Sequence, residues 1–141
     1  MPLVKSDSQT VEEWRAGVRT RMIASSGLGT SSLCLFEQWC EPQSGAPTHS
    51  HPDVEEVLWV LSGRAEVWID CKTAELVAGE AAIVPPDAPH GFRNIGDEEL
   101  HTLAVIAHGA PRVSYEDSGG AMFTIGSSRR GPHRGHPSRS D

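Results

Sequence analysis

Four side chains in the middle of the sequence are of types that bind transition metals. His49 and His51 lie two residues apart, Glu56 follows five residues later, and His90 comes 34 residues after Glu56. Side chains two apart on an extended backbone project to the same face, so both imidazoles can reach one point. Glu56 opens a predicted strand and His90 follows a predicted turn, so both are placed to join them.

Three imidazoles and one carboxylate form a mixed nitrogen and oxygen ligand set. Such a set suits divalent Fe, Mn, Co, Ni, Cu or Zn. Four protein ligands in a roughly octahedral arrangement leave two positions for a substrate oxygen, water or dioxygen. A histidine-rich zinc site on another β-fold stays open as an alternative, although zinc with four protein ligands is usually tetrahedral and structural.

The segments around these residues resemble the two motifs of the cupin superfamily, over about residues 18–115. The first motif is matched by His49, His51, Glu56 and Gly63, and the second by Gly79, Pro85, His90 and Asn94. The resemblance implies an all-β fold, a single double-stranded β-helix or jelly-roll barrel. It also implies a divalent transition metal held by the three histidines and Glu56, with iron as the favoured ion.

The sequence departs from the family pattern at two turn positions. Gly45 lies closer to the first histidine than the leading glycine of the motif usually does, and Asp87 replaces a motif glycine. Aspartate tolerates the left-handed conformation better than most residues do. Glu55 competes with Glu56 for the ligand role, and the six-residue interval to Gly63 favours Glu56.

The alternation of the strands predicts which residues face the site. If Glu56 points inward, the predicted lining is Leu58, Val60, Val67, Ile69, Phe92 and Asn94. No lysine or arginine occupies a clearly inward position, although the register leaves Arg19 and Arg21 open. We therefore expect an apolar pocket for a neutral or weakly charged small molecule.

The ligand set and the apolar pocket favour an iron(II) dioxygenase of a small organic compound. A non-redox metal-dependent cupin (an isomerase, lyase, decarboxylase or cyclase) is the alternative, but it needs a proton donor or base near the metal. His101 is the best candidate for that role, because no inward Glu, Asp, Lys or Tyr is evident. A metal-dependent binding protein without turnover is the third hypothesis.

Short strands separated by turn signals follow one another through most of the chain. Thr10 and Glu13 form a capping-box pattern that predicts a short N-terminal helix, ended by Gly17. We divide the chain into an N-terminal arm (1–17), a barrel domain (18–126) and a basic tail (127–141). The tail contains no apolar residue, so we expect it to be disordered.

Composition excludes several classes of protein. The tail holds four arginines and one aspartate, so the other 128 residues carry eight Lys/Arg and eighteen Asp/Glu, a net charge of −10. Such acidity argues against nucleic-acid binding. The sequence has no apolar run long enough to span a membrane and no secretory core, and its three cysteines form no CxxC motif. We expect a cytoplasmic protein.

Trp59 and Trp68 are predicted to face outward on consecutive strands. Two exposed tryptophans on one face are more than a small monomer usually carries. We therefore expect a homodimer through this face, with coverage by the N-terminal strand as the alternative.

Overall fold

Two antiparallel six-stranded sheets form the fold in the computed structural model, which describes residues 1–119 and 121–126. The strands are β1 Val11–Arg15, β2 Val18–Ala24, β3 Cys34–Cys40, β4 Gly45–Ser50, β5 Glu56–Ser62, β6 Arg64–Ile69, β7 Lys72–Val77, β8 Ala81–Val84, β9 His90–Asn94, β10 Leu100–Ile106, β11 Arg112–Tyr115 and β12 Met122–Thr124. The first sheet has the order β1-β2-β3-β10-β5-β8 and the second β12-β11-β4-β9-β6-β7. The predicted all-β jelly roll is confirmed.

The core lies between the inner faces of the two sheets. Along β10, buried and half-buried residues alternate strictly, as expected for a strand with one face against a core. Val18, Val60, Leu100 and Ile106 are fully buried at 0% exposure. The inner faces therefore form one continuous apolar layer, into which the polar ligand candidates are set.

The prediction of a short N-terminal helix was wrong. Val11–Arg15 is a strand that pairs antiparallel with β2 through a tight hairpin, and Gly17 adopts φ 75° at its turn. Trp14 packs against Phe36 with ring centroids 5.1 Å apart. Pairing with β2 and burial of this indole outweigh the weak local preference for a helix. Helical geometry in the described residues is limited to 3-10 turns at Ser6–Ser8, Ser26–Leu28 and Glu116–Ser118.

Trp59 and Trp68 do not share a face, contrary to the sequence-based expectation. Their strands, β5 and β6, follow one another in the chain but belong to different sheets. Trp59 is 43% exposed on the first sheet, whereas Trp68 is half-buried on the second and donates its indole N–H to Thr48 Oγ1 at 2.9 Å. The proposed homodimer loses the paired tryptophans that suggested it and stays a prediction.

Residue 120 and residues 127–141, which include the predicted tail, lie outside the described residues. Within the described part of the chain, no helix is long and apolar enough to cross a membrane.

Candidate metal centre and its cavity

Three histidines and one glutamate converge between the two sheets. His49 lies in β4 and His51 directly after it, while Glu56 and His90 are the first residues of β5 and β9. One ligand atom from each side chain lies within 4.8 Å of the others. All four residues are nearly buried, at 3–9% exposure. The structure therefore brings together all four ligand candidates, and it places Glu56 inside and Glu55 on the exposed surface.

Backbone carbonyl groups orient all three imidazole rings. Each ring Nδ1 lies at hydrogen-bond distance from a carbonyl oxygen: His49 from Pro47 (2.7 Å), His51 from Arg112 (2.9 Å) and His90 from Ala88 (2.8 Å). A carbonyl only accepts, so each Nδ1 carries the proton and donates it. Each Nε2 then keeps a lone pair, which is the arrangement that orients histidines toward a metal.

The Glu56 carboxylate lies among these lone pairs. Its Oε1 is 3.5 Å from Nε2 of both His51 and His90, which is long for a hydrogen bond. Among the described residues, His90 Nε2 is one of few buried polar atoms that lack a hydrogen-bond partner. A buried carboxylate beside lone pairs without donors is the environment that a divalent cation satisfies, so the donor set fits the metal that the motifs imply.

Burial and mutual contact shift the titration of these groups. Burial and, after it, the neighbouring His90 lower the pKa of His49 to about 3. Burial also opposes charge on His51, but the nearby Glu56 carboxylate outweighs it and raises the pKa of that ring. Burial opposes ionisation of Glu56, yet its contacts with His51 and His90 hold its pKa well below the usual range. Glu56 is therefore ionised at neutral pH and available as a ligand.

Two turns that carry the ligands are joined by hydrogen bonds. Asp87 Oδ1 accepts from the backbone N–H of Asp53 at 3.0 Å, and the Asp87 N–H donates to His51 O at 3.2 Å. Asp87 adopts φ 65° and Asp53 φ 64°. Asp87, which stands where the motif has glycine, thus keeps the left-handed geometry and ties the turn before Glu56 to the turn before His90.

Two of the six predicted lining residues lie beside the ligands, and four lie elsewhere. Leu58 and Phe92 line the cavity beside the ligands. Val60 and Val67 lie in the apolar core. Val67 also lines, together with Ile69, a separate cleft near the β6–β7 turn. The shared inward face of a strand is longer than the cavity, so only part of it reaches the ligands.

Asn94 is also absent from the cavity. Its side chain is fully buried, donates to the carbonyl oxygens of Cys40 (3.0 Å) and Glu98 (2.7 Å), and accepts from Gly96 N at 2.9 Å. It therefore holds the turn after β9 and does not face the ligands.

The cavity has a volume of about 30 Å³. That space holds about two water molecules. Gln38 also lines the cavity. The remaining walls come from elements whose inward residues the sequence did not reveal: Trp14, Arg15, Phe36, Ala46, Ala104, Val113, Tyr115 and Ile125. Trp14 and Arg15 lie in the segment that was predicted as a helix, so the sequence analysis did not assign them to the inner face of a strand. The strands β11 and β12 were not predicted.

Arg15 and Tyr115 meet at one side of the cavity. Arg15 donates to the Tyr115 hydroxyl at 2.7 Å and to the carbonyl oxygen of Gly45 at 3.1 Å. The Tyr115 ring lies 5.5 Å from the His49 ring, centroid to centroid. By contrast, His101 does not line the cavity: it contacts Glu37 at 2.8 Å and stacks on Trp39, on the opposite face of the first sheet. Tyr115 thus brings a hydroxyl group to the cavity wall beside the ligands.

Sequence comparison finds relatives of this chain in the genus Streptomyces. It is 41% identical over 100 residues to the polyketide synthase CurC of Streptomyces cyaneus, covering 71% of this chain and 65% of that protein. It is 28% identical over 110 residues to the protein SchB of Streptomyces halstedii, covering 78% and 80%. The chain thus spans a little under two thirds of the length of CurC.

Structural comparison gives the same fold. The formate complex of the oxalate decarboxylase of Lactobacillus farciminis matches with a TM-score of 0.72 at 22% identity, over 79% of this chain and 35% of that one. The model of the cupin domain matches residues 38–106, which contain all four ligand candidates. With the jelly roll, the two motifs and the converging ligands, the family match shows that residues 38–106 form a cupin domain.

Proposed function

We propose that this chain is a metal-dependent cupin enzyme that moves protons on a 1,3-dicarbonyl compound of the polyketide kind, without net oxidation. The observation that carries the proposal is the Tyr115 hydroxyl, which Arg15 positions at 2.7 Å on the wall of the cavity that the four ligands share. The relationship to a polyketide synthase supports the substrate class, because polyketide chains carry carbonyl groups on alternate carbons.

The side chains around the cavity have separable tasks. A divalent cation held by the three histidines and Glu56 would act as a Lewis acid that polarises a substrate carbonyl. Tyr115 is placed to give a proton to a substrate oxygen or to take one from it. Phe36, Leu58 and Phe92 form apolar walls that exclude water and so strengthen these polar interactions.

The cavity is smaller than such a substrate. About 30 Å³ accommodates water but no dicarbonyl compound, so binding requires side chains to move. Trp14, Arg15 and Tyr115 are half-buried, and so they form the solvent side of the cavity. Rotation of the Trp14 side chain would widen the cavity while Arg15, Tyr115 and the four ligands stay in place.

The proposal is tested by following the conversion of enolic acetylacetone into its keto form. The enol is diluted from an apolar solvent into buffer with protein loaded with Zn²⁺, Mn²⁺ or Co²⁺, and its absorbance is recorded by stopped flow. We expect a metal-dependent acceleration that Tyr115→Phe lowers at least ~100-fold and that His51→Ala removes. Glu75→Gln, on the exposed β7, is the control and should retain the rate. A wild-type rate equal to that of buffer with free metal would overturn the proposal.

An iron(II) dioxygenase is the second candidate function, and the aromatic and aliphatic walls of the cavity favour it. The same protein, loaded anaerobically with Fe²⁺ and mixed with substrate and air, would then consume dioxygen in proportion to the dicarbonyl lost. An oxygen electrode measures this directly. The dioxygenase would be favoured over the proton-transfer enzyme if the wild type consumed dioxygen in proportion to the dicarbonyl lost and Tyr115→Phe left the ketonisation rate unchanged.

A further inference from the structure

Arg15 is a cation on the wall of the cavity. On a regular strand only one of the neighbours Trp14 and Arg15 would point inward, because consecutive side chains point to opposite faces. Both nevertheless line the cavity. The pairing of β1 with β2 shifts register between Glu13 and Arg15, and this irregularity allows two consecutive side chains to point inward. Such bulges often re-aim a side chain beside an active site.

The guanidinium of Arg15 is held in place by neutral partners. It donates to Gly45 O and to the Tyr115 hydroxyl, and its central carbon lies 5.7 Å from the Tyr115 ring centroid. Gly45 packs closely against β9, where an added Cβ atom would clash with Phe92 O. The position of Arg15 is thus set by two neighbouring strands of the second sheet, β4 and β11.

The charge of Arg15 has no carboxylate partner among the described residues. Four other arginines do form ion pairs there, with the partners Arg19–Glu99, Arg21–Glu37, Arg64–Glu75 and Arg93–Glu66. Arg15 is the half-buried exception, and only two of its five N–H donors have partners in that part of the chain. The remaining donors are available to a planar anion, which arginine binds with two parallel hydrogen bonds.

We propose that Arg15 binds a carboxylate of the substrate, so that the site selects 3-oxo acids over neutral dicarbonyl compounds. This specificity rests on the proposed function, since it places the carboxylate at Arg15 and the 3-oxo group at the ligands. It replaces the expectation of a neutral substrate, which depended on finding no inward lysine or arginine. Arg19 and Arg21, the two arginines that the sequence left open, instead pair with glutamates.

The test compares one acid with its neutral ester. Binding of acetoacetate and of methyl acetoacetate to the Zn²⁺-loaded protein is measured by calorimetry and by intrinsic tryptophan fluorescence, at low and high salt. We expect the wild type to bind acetoacetate at least tenfold more tightly than the ester, with only the acid weakened by salt. Arg15→Gln should remove the preference, Arg15→Lys should retain part of it, and Arg64→Gln should leave it unchanged. An unchanged preference in Arg15→Gln would overturn the proposal.

Two further measurements keep the outcome interpretable. Circular dichroism and thermal unfolding establish whether Arg15→Gln folds. If it does not, Arg15→Lys decides: a reduced preference for the acid supports the proposal, and a preference equal to that of the wild type overturns it. Tyr115→Phe separates this inference from the proposed function. That variant should lose the ketonisation activity yet keep the preference for the acid, because Arg15 remains. A wild type that prefers the acid but does not accelerate ketonisation would refute the proposed function alone.

Discussion

Asp87 Oδ1 accepts a hydrogen bond from the backbone N–H of Asp53 at 3.0 Å, and so joins two turns that lie 34 residues apart in the chain. His51 and Glu56 flank one of these turns, and His90 follows the other. The relative position of the histidine pair and the third histidine therefore depends on a side chain that contacts none of the ligand atoms directly.

Replacement of Asp87 tests this connection. Asp87→Ala leaves a Cβ in the left-handed region (φ 65°) and removes the hydrogen bond, so we expect a loss of about 1–2 kcal/mol in unfolding free energy and weaker metal binding. Asp87→Gly takes the same φ without strain and should lose less stability. Urea unfolding and metal titration measure both effects. The control is Asp70→Ala, also at positive φ but without a side-chain bond to the ligand turns; equal loss of metal affinity in both alanine variants would contradict the prediction.

Metal content should depend on the ligand histidines and not on histidines in general. His51→Ala and His90→Ala each remove a buried imidazole, and we expect metal affinity to fall by more than the ~10–100-fold that losing an outer partner costs. Elemental analysis of protein purified without added metal gives the content, and competition with a chelator gives the affinity. His101→Ala, on the outer face, is the matched control and should bind metal as the parent does. Parental metal content in both ligand variants would place the site elsewhere.

The stability of the metal-free protein should fall as the pH falls from about 6.5 to about 3. The pKa of His49 is lowered to about 3 in the folded protein, while an unfolded histidine titrates near 6.5. Between these pH values His49 is protonated in the unfolded chain but neutral in the folded protein. His49 alone therefore lowers the free energy of unfolding by up to ~1.4 kcal/mol for each unit that the pH falls. His49→Gln should flatten the pH dependence measured by urea unfolding at pH 7, 5.5 and 4. His108→Gln, an exposed histidine, should leave the slope unchanged, and parallel curves for His49→Gln and the wild type would contradict the assignment.

Only one of the three thiols should react in the native protein at pH 8. Burial raises the pKa of Cys34 and of Cys40 to about 12, so both remain neutral and shielded, whereas Cys71 is exposed in the β6–β7 turn. Ellman's reagent should therefore titrate one thiol per chain before denaturation and three afterwards. Cys71→Ser should reduce the native count to zero. Rapid reaction of two or more thiols in the folded protein would show that the core opens on the time scale of the assay.

Local spacing was sufficient to find the metal centre and the fold. The two-residue interval of His49 and His51, and the turn chemistry before Glu56 and His90, are short-range properties that any extended chain with those turns must express. The choice of Glu56 over Glu55 rests on the six-residue interval to Gly63. The predicted succession of short strands separated by turns is present.

Contacts between distant parts of the chain decided the rest. Arg15 and Tyr115 are 100 residues apart, and only the closing of both sheets around the ligands brings the guanidinium to the phenol. Sequence periodicity states which residues share a strand face but not which sheet the strand joins, and so Trp59 and Trp68 were assigned to one surface. The charge on the cavity wall, and with it the substrate class that we propose, depends on these long-range pairings, because an irregularity in the pairing of β1 turned an arginine inward.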